Sequence, residues 1–323
     1  MRILITGGRG LLGGRIASHL AKAGHELVIG SRQVRSAPPW LSDGSAVALN
    51  WNSQESLKKA CRGSDVVIHA AGMNAQDSAI APTKALLSNG VSTSRLVDAA
   101  QAVGVKRFVY LSTAHVYANP LAGLITEETA ARNLHPYATS HLAGEHAVLH
   151  ADAAGDLEGV VMRLSNAYGA PMDVQANCWA LLANDLCKQA VVQQKLQLRT
   201  SGLERRDFVP IARVCKLVED YAEMDVDNRT RGLFNVGSGT SQTVFEFAQF
   251  IQARCSQVCG FTPVLMTTPK FSGQSSEGLY FESTRTKQFE EDTYAAACNE
   301  IDDLLVFCSK NFSGNLTETH KLS

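Results

Sequence analysis

Arg2-Ile3-Leu4-Ile5-Thr6 runs without a break into Gly7-Gly8-Arg9-Gly10-Leu11-Leu12-Gly13. The first five residues are β-prone and apolar, which predicts a short buried strand, and the run is too short for a secretory h-region. The glycines then recur as G-x-x-G-x-x-G at the point where that strand should pass into a helix. In this context each has a separate task. Gly7 permits a sharp turn, Gly10 lets the backbone approach a pyrophosphate at the positive end of the helix, and Gly13 brings helix and strand close together. Leu11 and Leu12 open the helix and complete the candidate dinucleotide cradle. With Ile16 and Leu20 they form its apolar face, and Gly24 stops it. A glycine-rich turn that holds nothing is the competing reading.

The same alternation continues outward. Strands are predicted at Arg2–Thr6, Glu26–Gly30, Ala46–Leu49, Asp65–Ala70, Phe108–Ser112 and Val160–Leu164, with helical spacing at Leu86–Val103 and Tyr137–His150. Strands alternating with helices make an α/β fold with a doubly wound parallel sheet. After about Gly169 the alternation lapses. A helix is expected over Cys178–Ala190, a loop over Arg199–Pro210 and a strand at Leu233–Val236. The expected division is a dinucleotide-binding domain over 1–168, with 208–238 returning to it, and a smaller mixed α/β substrate-binding region over most of 169–323. No flexible linker separates them, so a shared cleft is expected.

Composition narrows the classes. The 323 residues carry 30 Lys plus Arg against 31 Asp plus Glu, a net charge of −1, so no basic field draws the chain to nucleic acid or anionic lipid. No apolar run is long enough to span a membrane. The eight cysteines form no C-x-x-C pair and have no histidines at zinc spacing, which predicts reduced thiols, a cytoplasmic setting and no metal. Cys255 and Cys259 are read as two thiols along one helix face. At the end of the second strand, where a carboxylate would favour NAD, stand Gly30, Ser31 and Arg32. Ser31 can donate to a 2′-phosphate and Arg32 can pair with it, so NADP is expected ahead of NAD.

Further segments read DVVIHAAG at Asp65–Gly72, YLSTAHVY at Tyr110–Tyr117, YATSH at Tyr137–His141, RDFVP at Arg206–Pro210 and GLFNVGSG at Gly232–Gly239. In this order they resemble the extended short-chain dehydrogenase/reductase family, and within it the nucleotide-sugar epimerases, dehydratases and 4-ketoreductases. The resemblance covers nearly the whole chain. It implies a Rossmann fold, an NAD(P) cofactor passing Ala70, Ala71 and Gly72, and hydride transfer on a nucleotide sugar by keto reduction or epimerisation. Thr113 and Tyr137 take the catalytic hydroxyl positions, and Asn89 matches a helix Asn tied to proton relay. Ala114 and His115 stand where the family's dehydratases carry Asp-Glu, which disfavours a 4,6-dehydratase.

His141 departs from the pattern, since the family has Lys there. A Lys lowers the pKa of the Tyr and reaches the nicotinamide ribose; at ~4 Å and an effective dielectric of ~20 its attraction for a tyrosinate approaches ~4 kcal/mol. A histidine of ordinary pKa costs only ~0.7 kcal/mol to protonate at neutral pH. Tyr137, His141 and Glu145 share a helical face, so Glu145 is expected to favour the charged imidazole. For substrate, the resemblance implies that Asn166 and Arg206 grip a diphosphate, with Asn177 at the N-terminus of the Cys178 helix and Lys270 in place of a second Arg. It also implies a homodimer through the Leu86–Val103 and Tyr137–His150 helices. Two other readings stay open: a non-catalytic NADP-binding sensor, and a reductase of a small non-nucleotide carbonyl.

Overall fold

The structure is a computed structural model that describes residues 1–33, 36–41, 44–224, 232–268, 278–285 and 293–313. In its first half, strands β1 (Arg2–Thr6), β2 (Glu26–Ser31), β3 (Ser45–Ala48), β4 (Val66–His69), β5 (Arg107–Thr113), β6 (Gly123–Ile125) and β7 (Glu158–Leu164) are interleaved with helices. These are α1 (Leu11–Lys22), α2 (Gln54–Cys61), α3 (Ala75–Ile80), α4 (Pro82–Ala85), α5 (Ser92–Ala102) and α6 (Pro136–Ala154). A π-helical turn, Leu86–Val91, joins α4 to α5. The second half holds β8 (Asn166–Tyr168), α7 (Leu182–Gln193), β9 (Lys195–Gln197), β10 (Arg205–Pro210), α8 (Ile211–Glu223), β11 (Gly232–Val236) and β12 (Ser241–Thr243). It ends with α9 (Val244–Cys259), β13 (Val264–Met266), β14 (Leu279–Phe281) and α10 (Thr293–Phe312).

Seven strands form one sheet in the order β11-β7-β5-β4-β1-β2-β3, and every pairing in it is parallel. From β1 the chain winds first toward β3 and then back through β4 toward β11. The switch point therefore lies between β1 and β4, and sheets of this kind bind ligands there, beyond the carboxyl ends of the strands. Period-2 alternation divides the strand residues between two cores. Ile3, Ile5, Ile29, Ile68, Val109 and Met162 pack against residues of α1 and α8. Leu4, Val28, Val67, Phe108, Tyr110 and Val161 pack against residues of α2, α5 and α6.

A further core joins residues of α7, α9 and α10, including Leu186, Phe247, Ile251, Ile301 and Leu304. Two boundaries differ from expectation here. Arg205–Pro210 is a strand rather than loop: β10 pairs parallel with β8 and antiparallel with β12. The helix expected from Cys178 begins at Leu182, because Leu181 is its extended N-cap, with φ −70° and ψ 139°. Trp179 instead stacks on Phe307, meets Phe312 edge-on and donates from Nε1 to Val174 O.

No described helix is long and apolar enough to cross a membrane. The described cysteines are free thiols, and burial raises the pKa of several; those of Cys61, Cys178 and Cys308 are pushed up to about 12. Among the described residues, His25, Glu219 and Glu223 are spaced to share a cation, but Glu219 already accepts from Lys216 and contacts His19. His25 immediately precedes β2, which puts this group at the amino-terminal ends of the strands, away from the carboxyl ends where the glycine turn lies.

Candidate active site

The glycine turn is built by exclusion. Gly7 has φ +73°, and a Cβ there would stand 2.7 Å from Ala71 N and 2.8 Å from Ala70 O. A Cβ at Gly13 would stand 2.4 Å from Gly7 O, so the start of α1 is pressed onto the turn. Gly10 is different: it is exposed, and its Cβ position meets only Gly7 O, at 3.3 Å. As the N-cap of α1 it brings no capping side chain, and no acid stands in the first turn. The opening N–H groups of the helix around Leu11 and Leu12 are thus left without a side-chain partner, in the arrangement an anion fits. These residues suit a dinucleotide pyrophosphate.

The same turn leads to the hydroxyl pair. Gly72 follows Ala70 and Ala71, and its Cβ position lies 3.3 Å from Asn89 Oδ1 and 3.7 Å from His141 Nε2. His141 lies one turn along α6 from Tyr137, their rings 4.6 Å apart and edge-on. Tyr137 is fixed at the start of α6, where His135 Nδ1 accepts its backbone N–H at 3.1 Å. Thr113 ends β5, is 5% exposed, and hydrogen-bonds the Tyr137 side chain. Burial nevertheless raises the phenol pKa above its ordinary value. Asn89, in the π-helical turn, is fully buried; its side chain accepts from Met73 N at 2.6 Å and donates to Met73 O and Ser140 Oγ.

Around His141 the structure corrects one expectation. Glu145 does not favour a charged imidazole, because both its oxygens are taken by Arg163, at 2.6–3.1 Å, and Ser112 adds a further hydrogen bond. This ion pair is sealed, with side chains 0% and 6% exposed, and Arg163 also lies 4.5 Å above the Tyr117 ring. Instead, His141 Nδ1 is 2.8 Å from the hydroxyl of Tyr110. Burial lowers the His141 pKa to about 4, so the ring is neutral at pH 7.

Tyr110 was not singled out from the sequence, although its signal was there. Residues 110 and 112 face the same way on β5, and 141 and 145 lie one turn apart on α6, so the two registers match.

The substrate residues are not all brought together. Asn166 sits on β8 and donates to Asp207 O at 2.8 Å. Arg206, 41% exposed, has Glu204 as its carboxylate neighbour at 3.7 Å, and its charge helps to lower the His115 pKa. Asp207 instead turns inward and accepts from Ser165 and Ser238. Asn177 is exposed in the loop before α7 and does not lie at a helix N-terminus, because that helix starts later than expected. Lys270 lies outside the described residues. At the end of β2, Arg32 is exposed and Ser31 donates to Gln33 O.

The model of the NAD dependent epimerase/dehydratase family matches residues 3–237. A UDP-glucose 4-epimerase of Streptomyces lividans is 33% identical over 181 residues, a match that spans 54% of this chain and 54% of that enzyme. A UDP-glucose 4-epimerase of Corynebacterium glutamicum is 25% identical over 89% of each chain. The dTDP-glucose 4,6-dehydratase of Streptomyces niveus is 24% identical over 79% of this chain and 78% of its own. In fold, the chain is similar to the Thermotoga maritima UDP-glucose 4-epimerase with UDP-glucose, at TM-score 0.77 and 19% identity, covering 96% of this chain and 99% of that one. The Bifidobacterium longum UDP-glucose 4-epimerase in complex with NAD+ and UDP gives TM-score 0.76 and 21% identity, covering 97% and 100%.

Proposed function

Since the chain belongs to the NAD dependent epimerase/dehydratase family, we propose that it is an NAD(P)-dependent enzyme acting by hydride transfer on a nucleotide sugar. One observation carries this reading: Gly72 lies against both Asn89 and His141, and Ala70 and Ala71 lie under Gly7. The start of α1 and the Thr113–Tyr137 pair thus stand at the same carboxyl end of the sheet, which supports one shared site. Bound there, the dinucleotide supplies or accepts the hydride. The chain's own groups bind and move protons. Gly10, Leu11 and Leu12 present backbone N–H groups, Thr113 orients the substrate oxygen, and Tyr137 exchanges a proton with it.

NADP is the preferred cofactor in this reading. β2 ends in Gly30, Ser31 and an exposed Arg32, with no carboxylate to repel a 2′-phosphate. Arg206, loosely paired and exposed, is the diphosphate contact, with Asn166 beside it, Asn177 as a further candidate and Lys270 a candidate from the sequence alone. Leu86 and Leu87, 49% and 53% exposed, open the first of the two helical segments proposed for a homodimer. A neutral His141 favours, as a second reading, a protein that binds dinucleotide without turnover.

The test is equilibrium binding of NADPH and NADH, followed by turnover of keto and alcohol nucleotide sugars by the parent and Tyr137→Phe. Tyr137-dependent turnover supports the enzyme, whereas binding without turnover supports the second reading. No dinucleotide binding removes both.

A further inference from the structure

Beside Tyr137, the position that would carry a cation holds a ring whose hydrogen bonds can be assigned one by one. Asn89 O can only accept, and it receives Thr93 Oγ1 at 2.6 Å. Thr93 has then spent its proton and accepts from His69 Nε2 at 2.9 Å, which leaves His69 Nδ1 to accept from Thr6 Oγ1 at 2.6 Å. The Tyr110 hydroxyl has three neighbours left, His141 Nδ1 at 2.8 Å, Asn89 O at 3.4 Å and the Thr93 side chain. Its proton is assigned to the shortest of these contacts, the one to His141 Nδ1. His141 therefore accepts at Nδ1 and carries its own proton on Nε2, beside Gly72. The rings of His69, Tyr110 and His141 are stacked, which holds this order in place.

Among the described residues, the charged and titratable groups around the pair supply no cation to the phenol. From β4 comes neutral His69, its pKa lowered to about 3 by burial and by His141. From β5 come Tyr110 and Thr113. On α6 Glu145 is neutralised by Arg163 of β7. His115, beyond β5, has its pKa lowered by burial, by Arg206 and by His135.

We propose that this is a carbonyl-reducing site, in which Tyr137 enters as an intact phenol and gives its proton to the oxygen of a keto nucleotide sugar, beside a neutral His141 that Tyr110 holds in place. This rests on the functional reading above and assigns its substrate class. In the step, the carbonyl carbon gains a C–H bond as the reduced nicotinamide is oxidised. The C=O π pair takes the Tyr137 proton, and the tyrosinate left behind recovers a proton from solvent in the cleft. Tyr110 is a positioning residue. Oxidation of a sugar alcohol, with which epimerisation must begin, needs tyrosinate and so runs through the minor form of the enzyme at pH 7.

Two measurements test this. In 15N-histidine NMR at pH 7, the His141 signals, identified by their loss in His141→Gln, should show an unprotonated Nδ1 and a protonated Nε2. Tyr110→Phe, which keeps the ring, should abolish that fixed pattern. In kinetics, kcat/KM for NADPH and dTDP-4-keto-6-deoxyglucose should be flat through neutral pH, while that for NADP and UDP-glucose should rise about tenfold per pH unit. His141→Lys should raise the latter by about tenfold or more at neutral pH. An imidazolium at pH 7, flat alcohol oxidation, or dinucleotide binding without reduction of the keto probe overturns the inference. An imidazolium in a protein that binds dinucleotide and turns over UDP-glucose overturns the inference alone, whereas failure to bind any dinucleotide brings down the functional reading as well.

Discussion

Replacing Glu145 by Gln tests how the floor of the active site is held. Arg163 keeps its charge in the variant, but its guanidinium, with a side chain 6% exposed, loses the carboxylate that accepts from Nε and Nη2. What remains is the neutral amide oxygen of the variant and the Tyr117 ring at 4.5 Å, with no anion to balance the charge. Breaking a buried pair from one side leaves an uncompensated charge and costs about 3–5 kcal/mol. At about 2.1 cal/mol/K per residue, a chain of this length has an unfolding entropy of roughly 0.7 kcal/mol/K, so the melting temperature should fall by about 4–7 °C. Glu145→Leu with Arg163→Met removes both charges and should recover most of that loss. Differential scanning calorimetry of the parent, both single variants and the double variant gives the coupling. His141 should keep the same protonation pattern throughout, because Tyr110 rather than Glu145 holds it. An unchanged melting temperature in Glu145→Gln, or a double variant as unstable as the single, refutes the reasoning.

Other outcomes follow from the same geometry. Gly13→Ala places a Cβ 2.4 Å from Gly7 O and should destabilise the fold by about 1–3 kcal/mol in urea titrations. Gly10→Val, whose Cβ meets only Gly7 O, should leave the melting temperature nearly unchanged yet abolish measurable dinucleotide binding. Arg32→Ala should weaken NADPH binding by about 10–100-fold, the loss of a charge-assisted phosphate contact, and leave NADH within about threefold; equal losses for the two would remove the NADP preference. His69 and His141 have pKa values lowered to about 3 and about 4, so the unfolded chain binds more protons below its own histidine pKa. Their contribution to stability is complete above about pH 6.5 and declines as pH falls toward about 4. Urea unfolding across that window should show the decline, and His141→Gln should show less of it.

The sheet was legible because its strands are long, apolar and separated by helices. Arg2–Thr6 matches the structure residue for residue, and Arg107–Thr113 was recognised from Phe108 onward. Beyond Gly169 the strands shorten to as few as three residues, as in β9 and β12, which is too little for period-2 alternation to register. The strand Arg205–Pro210 was hidden by two arginines, an aspartate and a terminal proline, because its pairing partners are distant in sequence. Cys178–Leu181 looked helical by composition, yet the packing of Trp179 on Phe307 and Phe312 draws it into a loop. At the site, the glycine turn could be read because its function lies in consecutive residues. The role of Glu145 could not, since helical spacing showed its proximity to His141 but not the arginine that Met162 and Leu164 flank on β7. The Tyr110–His141 contact left only the matching spacing of 110 and 112 on β5 with 141 and 145 on α6, because the fold sets which strand meets which helix across 31 residues.

The most direct test of hydride transfer at Tyr137 is the absorbance of reduced nicotinamide in a single-turnover mixture of protein, NADPH and a 4-keto nucleotide sugar. The account predicts a decay that is present in the parent and absent in Tyr137→Phe, with both proteins binding NADPH equally. A decay that survives in Tyr137→Phe, or a parent that never binds the dinucleotide, contradicts it.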